Sequence, residues 1–296
     1  MRLQEIITSH LRRETKDEDS IQLQKVNFPS TKCIFEIAFR GLHDPTPSQR
    51  HIYEGDLREF DPEGIQYLRS SSGPVLILWS RYLRPVVDYT FWSSREGYVP
   101  RKKKNNLYFF VRGSMPRKDK GDLKRALKEY ALSGLPDSLS SLDTGALKAE
   151  IASHAAEVAR LTNGLDFSIH NGTGVREQEM RISDDGLHLV FHQHRAFSRD
   201  CAGTYLDAMI PLWTLDPEPY VDRDRAESGR GLPCINIHAV DALWNLKFRF
   251  SGPPPFDHES KWESIYCQSI PDCERLQVIL RTLIPVSRDL AYLLNS

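Results

Sequence analysis

CINIHAVDALWNLKFRFSGPPPFDHESKWESIYCQSIPDCERLQVILRTLIPVSRDLAYLLNS, residues 234–296, is the stretch that decides the fold. Ile235 and Ile237 alternate with Asn236 and His238, and Trp244, Leu246, Phe248 and Phe250 alternate with Asn245, Lys247 and Arg249. A period of two marks strands with one buried face. Ser264-Ile265-Tyr266-Cys267 reads as a third short strand. From Asp272 the period changes, and Leu276, Ile279, Leu280 and Leu283 fall on one helix face. Pro285 removes a backbone donor, so a kink or break near Ile284 is expected. Strands closed by a C-terminal amphipathic helix serve binding modules more often than enzymes, although fold alone does not fix function.

The same logic runs outward. Leu3, Ile6, Ile7 and Leu11 predict a short helix, followed by the charged run Arg12 to Asp19. Cys33 to Phe39, Pro74 to Trp79, Asp88 to Trp92 and Leu107 to Val111 predict strands, with a basic loop at 101–106. Helices are expected from about Asp119 to Leu132 and from Asp143 or Thr144 to Asn163-Gly164. Glu179 to Ser183 and Leu187 to His194 flank Asp184-Asp185-Gly186, the best hairpin signal in the chain. The Pro-, Asp- and Gly-rich stretch Asp216 to Pro233 reads as an exposed loop. The expected architecture is α+β: an N-terminal β-rich module (1–135), a linker with a connecting helix (136–164) and a C-terminal β-barrel-like module with a capping helix (165–296). Both modules run strands first and helix last, as a duplication would, without a repeat at the level of residues.

Composition bounds function. The 296 residues are 40% hydrophobic and 27% charged, with net charge −1, so the chain is not globally a polyanion binder. Charge is nevertheless uneven: Arg95 to Lys128 holds twelve Lys or Arg against three Asp or Glu. The five cysteines form no CxxC pair, and three of them (Cys33, Cys234, Cys267) sit in apolar strands, as small hydrophobes do. With no signal-peptide core at the N-terminus and no stretch long enough to span a membrane, a reducing, cytoplasmic setting is expected.

In the second half, the Asp184-Asp185-Gly186 hairpin, the Trp244 to Phe250 and Ile265 strands and the Asp272 to Leu283 helix resemble a pleckstrin-homology-like domain over roughly residues 165 to 294. The resemblance implies two twisted sheets capped by the helix. That family's helix often carries a core-facing tryptophan, which is absent here, and the hairpin loop is acidic where a phosphoinositide motif would be basic. It therefore implies protein binding rather than lipid binding through that loop.

Three constellations carry candidate chemistry. Arg101, Lys102, Lys103 and Lys104, followed by Lys118, Lys120, Lys124 and Arg125, interleave with Phe91, Trp92, Tyr98, Tyr108, Phe109 and Phe110. Cations beside aromatics suit lipid headgroups or RNA, whereas the plainer reading is a solvated charge run over core aromatics. His188, His192 and His194 share one strand face, and zinc accepts such nitrogens, with His170, Asp185 or Cys201 to complete a site. The plainer reading is a polar outer face. Asp185 and His188 form a DxxH string like that of lipase-like esterases, but Gly55-Asp56-Leu57 has leucine where the nucleophile belongs. Asn171-Gly172-Thr173-Gly174 lacks the Lys-Ser/Thr of a phosphate loop, and Ser251 to Pro255 is a short extended linker.

The leading expectation is a non-enzymatic adaptor whose basic face meets a protein partner, an anionic lipid surface or RNA. The alternatives are a metal-assisted hydrolase on the histidine face and a structural subunit of a larger assembly.

Overall fold

The computed structural model describes residues 2–12, 14–16, 20–70, 73–101, 103–113, 115–167, 175–195, 204–228, 231–240, 246–251 and 256–295. They form an α+β chain of two units, Met1–Ser141 and Leu142–Ser296. The first runs α1 (Arg2–His10), β1 (Glu14–Lys16), β2 (Ser20–Asn27), β3 (Lys32–Gly41), β4 (Gln49–Asp56), a 3-10 turn (Leu57–Glu59), β5 (Phe60–Ser70), β6 (Gly73–Ser80), a second 3-10 turn (Arg81–Leu83), β7 (Asp88–Ser93), β8 (Gly97–Pro100), β9 (Asn106–Phe110) and α2 (Arg117–Ala131). The sheet orders are β1-β2-β3-β4-β7-β8 and β5-β6-β9. Cys33, Phe35, Leu76, Leu78, Leu107 and Phe109 alternate with more exposed residues and meet Leu3 and Ile7 of α1 and Leu123 and Leu127 of α2 in one core.

The second unit runs α3 (Thr144–Thr162), β10 (Val175–Ile182), β11 (His188–Arg195), β12 (Thr204–Pro211), a 3-10 turn (Leu212–Thr214), β13 (Tyr220–Asp222), α4 (Asp224–Glu227), β14 (Cys234–His238), β15 (Leu246–Ser251), β16 (Phe256–Ser260), β17 (Trp262–Tyr266) and α5 (Ile270–Leu294). Its sheets are ordered β10-β11-β12-β15-β16 and β13-β14-β17.

The two units share one topology. β2-β3-β4-β7-β8 and β5-β6-β9 correspond in turn to β10-β11-β12-β15-β16 and β13-β14-β17, with a helix before and a helix after each set. Register makes the correspondence residue-specific. Phe35 pairs with Val26 and Tyr53 as Phe191 pairs with Met180 and Ala208, and both phenylalanines are buried. Each third strand ends in a 3-10 turn whose first residue is a buried leucine. Leu57 N–H donates to Thr31 C=O at 2.7 Å, and Leu212 N–H to Leu187 C=O at 2.8 Å.

One polar device recurs at the same register. Gln24 on β2 accepts the Phe110 N–H through Oε1 (3.0 Å), and its amide donates to the carbonyls of Phe110 (3.3 Å) and Arg12 (2.5 Å). Gln178 on β10 accepts the Tyr266 N–H (3.0 Å) and donates to the carbonyls of Tyr266 (3.0 Å) and Thr162 (2.9 Å). In each unit a buried amide thus joins β2 or β10 to the last strand of the other sheet and bonds a further carbonyl, that of Arg12 two residues after α1 or of Thr162 at the end of α3. The strands lie in separate open sheets, and neither unit forms a closed barrel.

Several expectations change. α3, read as a connecting helix, belongs to the second unit, where Leu147, Ile151, Val158 and Leu161 enter the core. Asp216 to Pro233 is not simply an exposed loop. It holds β13 and α4, and Pro219, Val221, Leu232 and Pro233 are buried, with Gln277 of α5 donating to Pro219 C=O at 2.6 Å. α5 does not break at Pro285 but continues to Leu294, because Leu283, Ile284, Ser287 and Leu290 around the proline are all buried. Core packing on both sides outweighs the one lost helical bond. The charged run after α1 contributes β1, paired with β2. Among the described residues no helix is long and apolar enough to cross a membrane.

Candidate functional site: the cationic edge hairpin of the first unit

β7 and β8 form a hairpin at the edge of the six-stranded sheet, with Trp92 opposite Tyr98 and Phe91 opposite Val99. Its three-residue loop needs Gly97 at φ +70°, a conformation glycine adopts without strain. The Ser93 hydroxyl accepts the Glu96 N–H at 3.0 Å.

Alternation sends the aromatics to both faces. On the inner face Phe91 pairs across to His51, and Tyr89 to Tyr53. Tyr89 and Tyr53 stack at 4.9 Å, and Tyr108 of β9 shares a 2.8 Å hydroxyl–hydroxyl bond with Tyr53. His51 Nδ1 and the Tyr89 hydroxyl lie 2.8 Å apart. Burial holds the His51 imidazole below its ordinary pKa and pushes the Tyr53 and Tyr89 hydroxyls up, so all three stay neutral near pH 7. Arg101 then stands 5.2 Å from the Phe91 ring centre and Lys104 Nζ 5.4 Å from that of Tyr89. On the outer face Tyr98 (62% exposed) and Trp92 lie 6.2 Å apart, and the Arg50 guanidinium is 5.2 Å from the Trp92 ring. Three cations therefore accompany three rings of one strand, within the range of cation–π attraction.

The expected basic face is divided. Arg101, Lys103 and Lys104 follow the sheet edge, where the Val87–Lys104 bridge prolongs the ladder beyond β8. Lys102 lies outside the described residues. Lys118, Lys120, Lys124 and Arg125 stand instead on α2, exposed. Several cations are locally engaged: Lys103 with Asp88 (3.2 Å), Arg101 with Glu96 (3.8 Å), Arg125 with Asp122 (3.4 Å) and Lys124 with Glu63. Lys120 Nζ lies 4.6 Å from the Tyr67 ring centre. Arg50 and His51 escape the sequence reading because β4 carries too few apolar residues to read as a strand, whereas Tyr89 lies on the predicted Asp88 to Trp92 strand.

His188, His192 and His194 share the outer face of β11. His192 Nδ1 is 2.5 Å from Asp207 Oδ1, and His188 Nδ1 is 3.4 Å from Asp185 Oδ2. The Tyr205 ring stacks with both His192 (5.2 Å) and His194 (4.6 Å). Among the described residues no group of three or more His, Cys, Asp or Glu is disposed to hold a metal. His170 and Cys201, the suggested completing ligands, lie outside the described residues, as do 171–174, 252–255 and Trp244. Cys33, Cys234, Cys267 and Cys273 are buried. Asp56 caps the 3-10 turn through its bond to Arg58 N–H, and Leu57 is fully buried, which leaves no nucleophile there.

The chain matches no protein-family model, no curated protein and no solved structure.

Proposed function

We propose that the chain is a non-enzymatic binding protein whose edge hairpin in the first unit, with Arg50, Arg101, Lys103 and Lys104, contacts an anionic partner. The observation that carries this reading is the set of three cation–ring contacts on β7, with Arg50, Arg101 and Lys104 each set over a different ring. An exposed edge strand needs charge to discourage pairing with other chains, and lysines alone meet that need. Cations held over rings do more, because each is fixed in position and partly desolvated before a ligand arrives. On α2, Lys120 lies over the Tyr67 ring in the same way, and Lys118, Lys124 and Arg125 extend the positive field.

Salt titration of the full chain against anionic probes tests this reading. Replacing Arg101, Lys103 and Lys104 together with glutamine should weaken binding at low salt by on the order of tenfold or more and flatten its salt dependence. An unchanged slope in a variant that still folds would sink the proposal.

A further inference from the structure

From the outer face of the edge hairpin we infer that the anionic ligand is a single-stranded nucleic acid, with bases stacking on Tyr98 and Trp92 and phosphates meeting the neighbouring cations; this rests on the function proposed above. Tyr98, Trp92 and Arg50 form one row across β8, β7 and β4, since Trp92 pairs with both Tyr98 and Arg50. Two rings and a guanidinium on an open sheet face make a stacking platform, and every base offers a π-face to one. Lys103, on the run that follows β8, adds a cation farther along the same edge.

The alternatives fit less well. Membrane docking favours apolar side chains projecting from a tip, but this tip is the exposed Ser94-Arg95-Glu96, and the rings lie behind it on the sheet. An acidic peptide could use the cations, yet charge alone gives no role to an exposed tyrosine beside a tryptophan.

The second unit supplies an internal comparison. There Ser251 pairs with Tyr205 as Trp92 pairs with Arg50. His258 opposes Phe248 where Arg101 follows Tyr89, and Ser260 opposes Leu246 where Lys104 opposes Val87. The same topology therefore forms without the tryptophan or the cations, so the fold does not require them.

The test uses the full chain and three probes at equal ionic strength. These are a labelled oligo(U) of about 12 nucleotides, within the span such surfaces cover, an abasic phosphodiester of the same length, and phosphatidylserine-containing vesicles. Oligo(U) should bind on the order of tenfold tighter than the abasic strand. Tyr98→Ala should shrink that difference, the Trp92 ring remaining, while leaving abasic binding and the thermal transition unchanged, since Tyr98 is largely exposed; an undiminished difference would overturn the stacking inference. Equal, salt-sensitive binding of both strands would overturn the stacking inference and leave the anion site standing. Preference for vesicles would overturn it in favour of a lipid surface. Binding to none of the probes would overturn the inference and the proposed function together.

Discussion

Gln24 and Gln178 show how much one side chain can hold. Each amide bonds both the N–H and the C=O of a residue on another sheet, as a neighbouring strand would. Leucine at position 178 would fill much of the volume but leave those groups, and the Thr162 carbonyl, without that partner. An unsatisfied buried group costs roughly 1–3 kcal/mol, so Gln178→Leu should destabilise by on the order of 3 kcal/mol, read by denaturant unfolding. Gln24→Leu should destabilise as well, although the Phe110 carbonyl keeps the 2.9 Å bond from Arg12 N–H. Hydrogen exchange should quicken in β2 and β9 for the first-unit variant and in β10 and β17 for the second. His51 adds a pH effect. Burial lowers its folded pKa below the ordinary 6.5, so the unfolded chain binds the proton first as pH falls. Stability from this residue is therefore complete above about pH 6.5 and declines as pH drops through that value toward the folded pKa. His51→Phe should flatten the stability–pH curve below neutrality, and an unchanged curve would remove His51 as its source.

At the scale of elements, α5 is the clearest test of packing against propensity. Its 25 residues pass through Pro285 although the proline removes one helical bond and crowds the preceding turn. Pro285→Ala should stabilise by about 1–3 kcal/mol, measured by thermal unfolding. A loss would mean that the ring's own packing outweighs the restored bond. The elements that were legible in the sequence are those whose burial is strict. β3 and β11 bury apolar residues at period two, β6 as a near-continuous apolar run and α5 at helical spacing, and the Asp184-Asp185-Gly186 turn announces its hairpin through Gly186 at φ +75°. β4 and β5 were not legible. β4 reads QRHIYEGD, whose inward His51 and Tyr53 look polar, and β5 carries Pro62 and Gly64 at an irregularity in its pairing with β6. The pairing of β12 with β15 joins segments far apart in the chain, which no local pattern encodes. For the candidate site, the run of cations and its split between a loop and a helix are visible in the sequence, as is the i,i+3 pair Asp122–Arg125, but the pairing of Lys103 with Asp88 and of Lys124 with Glu63 arises only from three-dimensional proximity.

At the scale of the whole molecule, the same fold built twice explains why no repeat was visible in the sequence. A core position demands apolar volume rather than a particular residue. Cys33 and Leu189 are both fully buried at equivalent register positions, as are Leu76 and Ile235, and Tyr53 corresponds to the smaller Ala208. Identity persists where geometry is demanding: at the bridging glutamines, at Phe35 and Phe191, and at Leu57 and Leu212 where the 3-10 turns begin. The edges differ in charge, with Arg-Lys-Lys-Lys at 101–104 in the first unit and His-Glu-Ser at 258–260 in the second. This is the pattern expected when cores keep a fold and exposed edges take on separate tasks. Each unit closes its own hydrophobic core against a helix before and a helix after its strands, and each has a length at which single domains fold unaided. Fragments 1–141 and 142–296, produced separately, should therefore each unfold cooperatively, and binding to the anionic probes should remain with the first. A first fragment that folds but does not bind, or binding that travels with the second, would reassign the site. If instead neither fragment shows a cooperative transition, the two topologically equivalent units would not be separate folding units, and each core would depend on the rest of the chain.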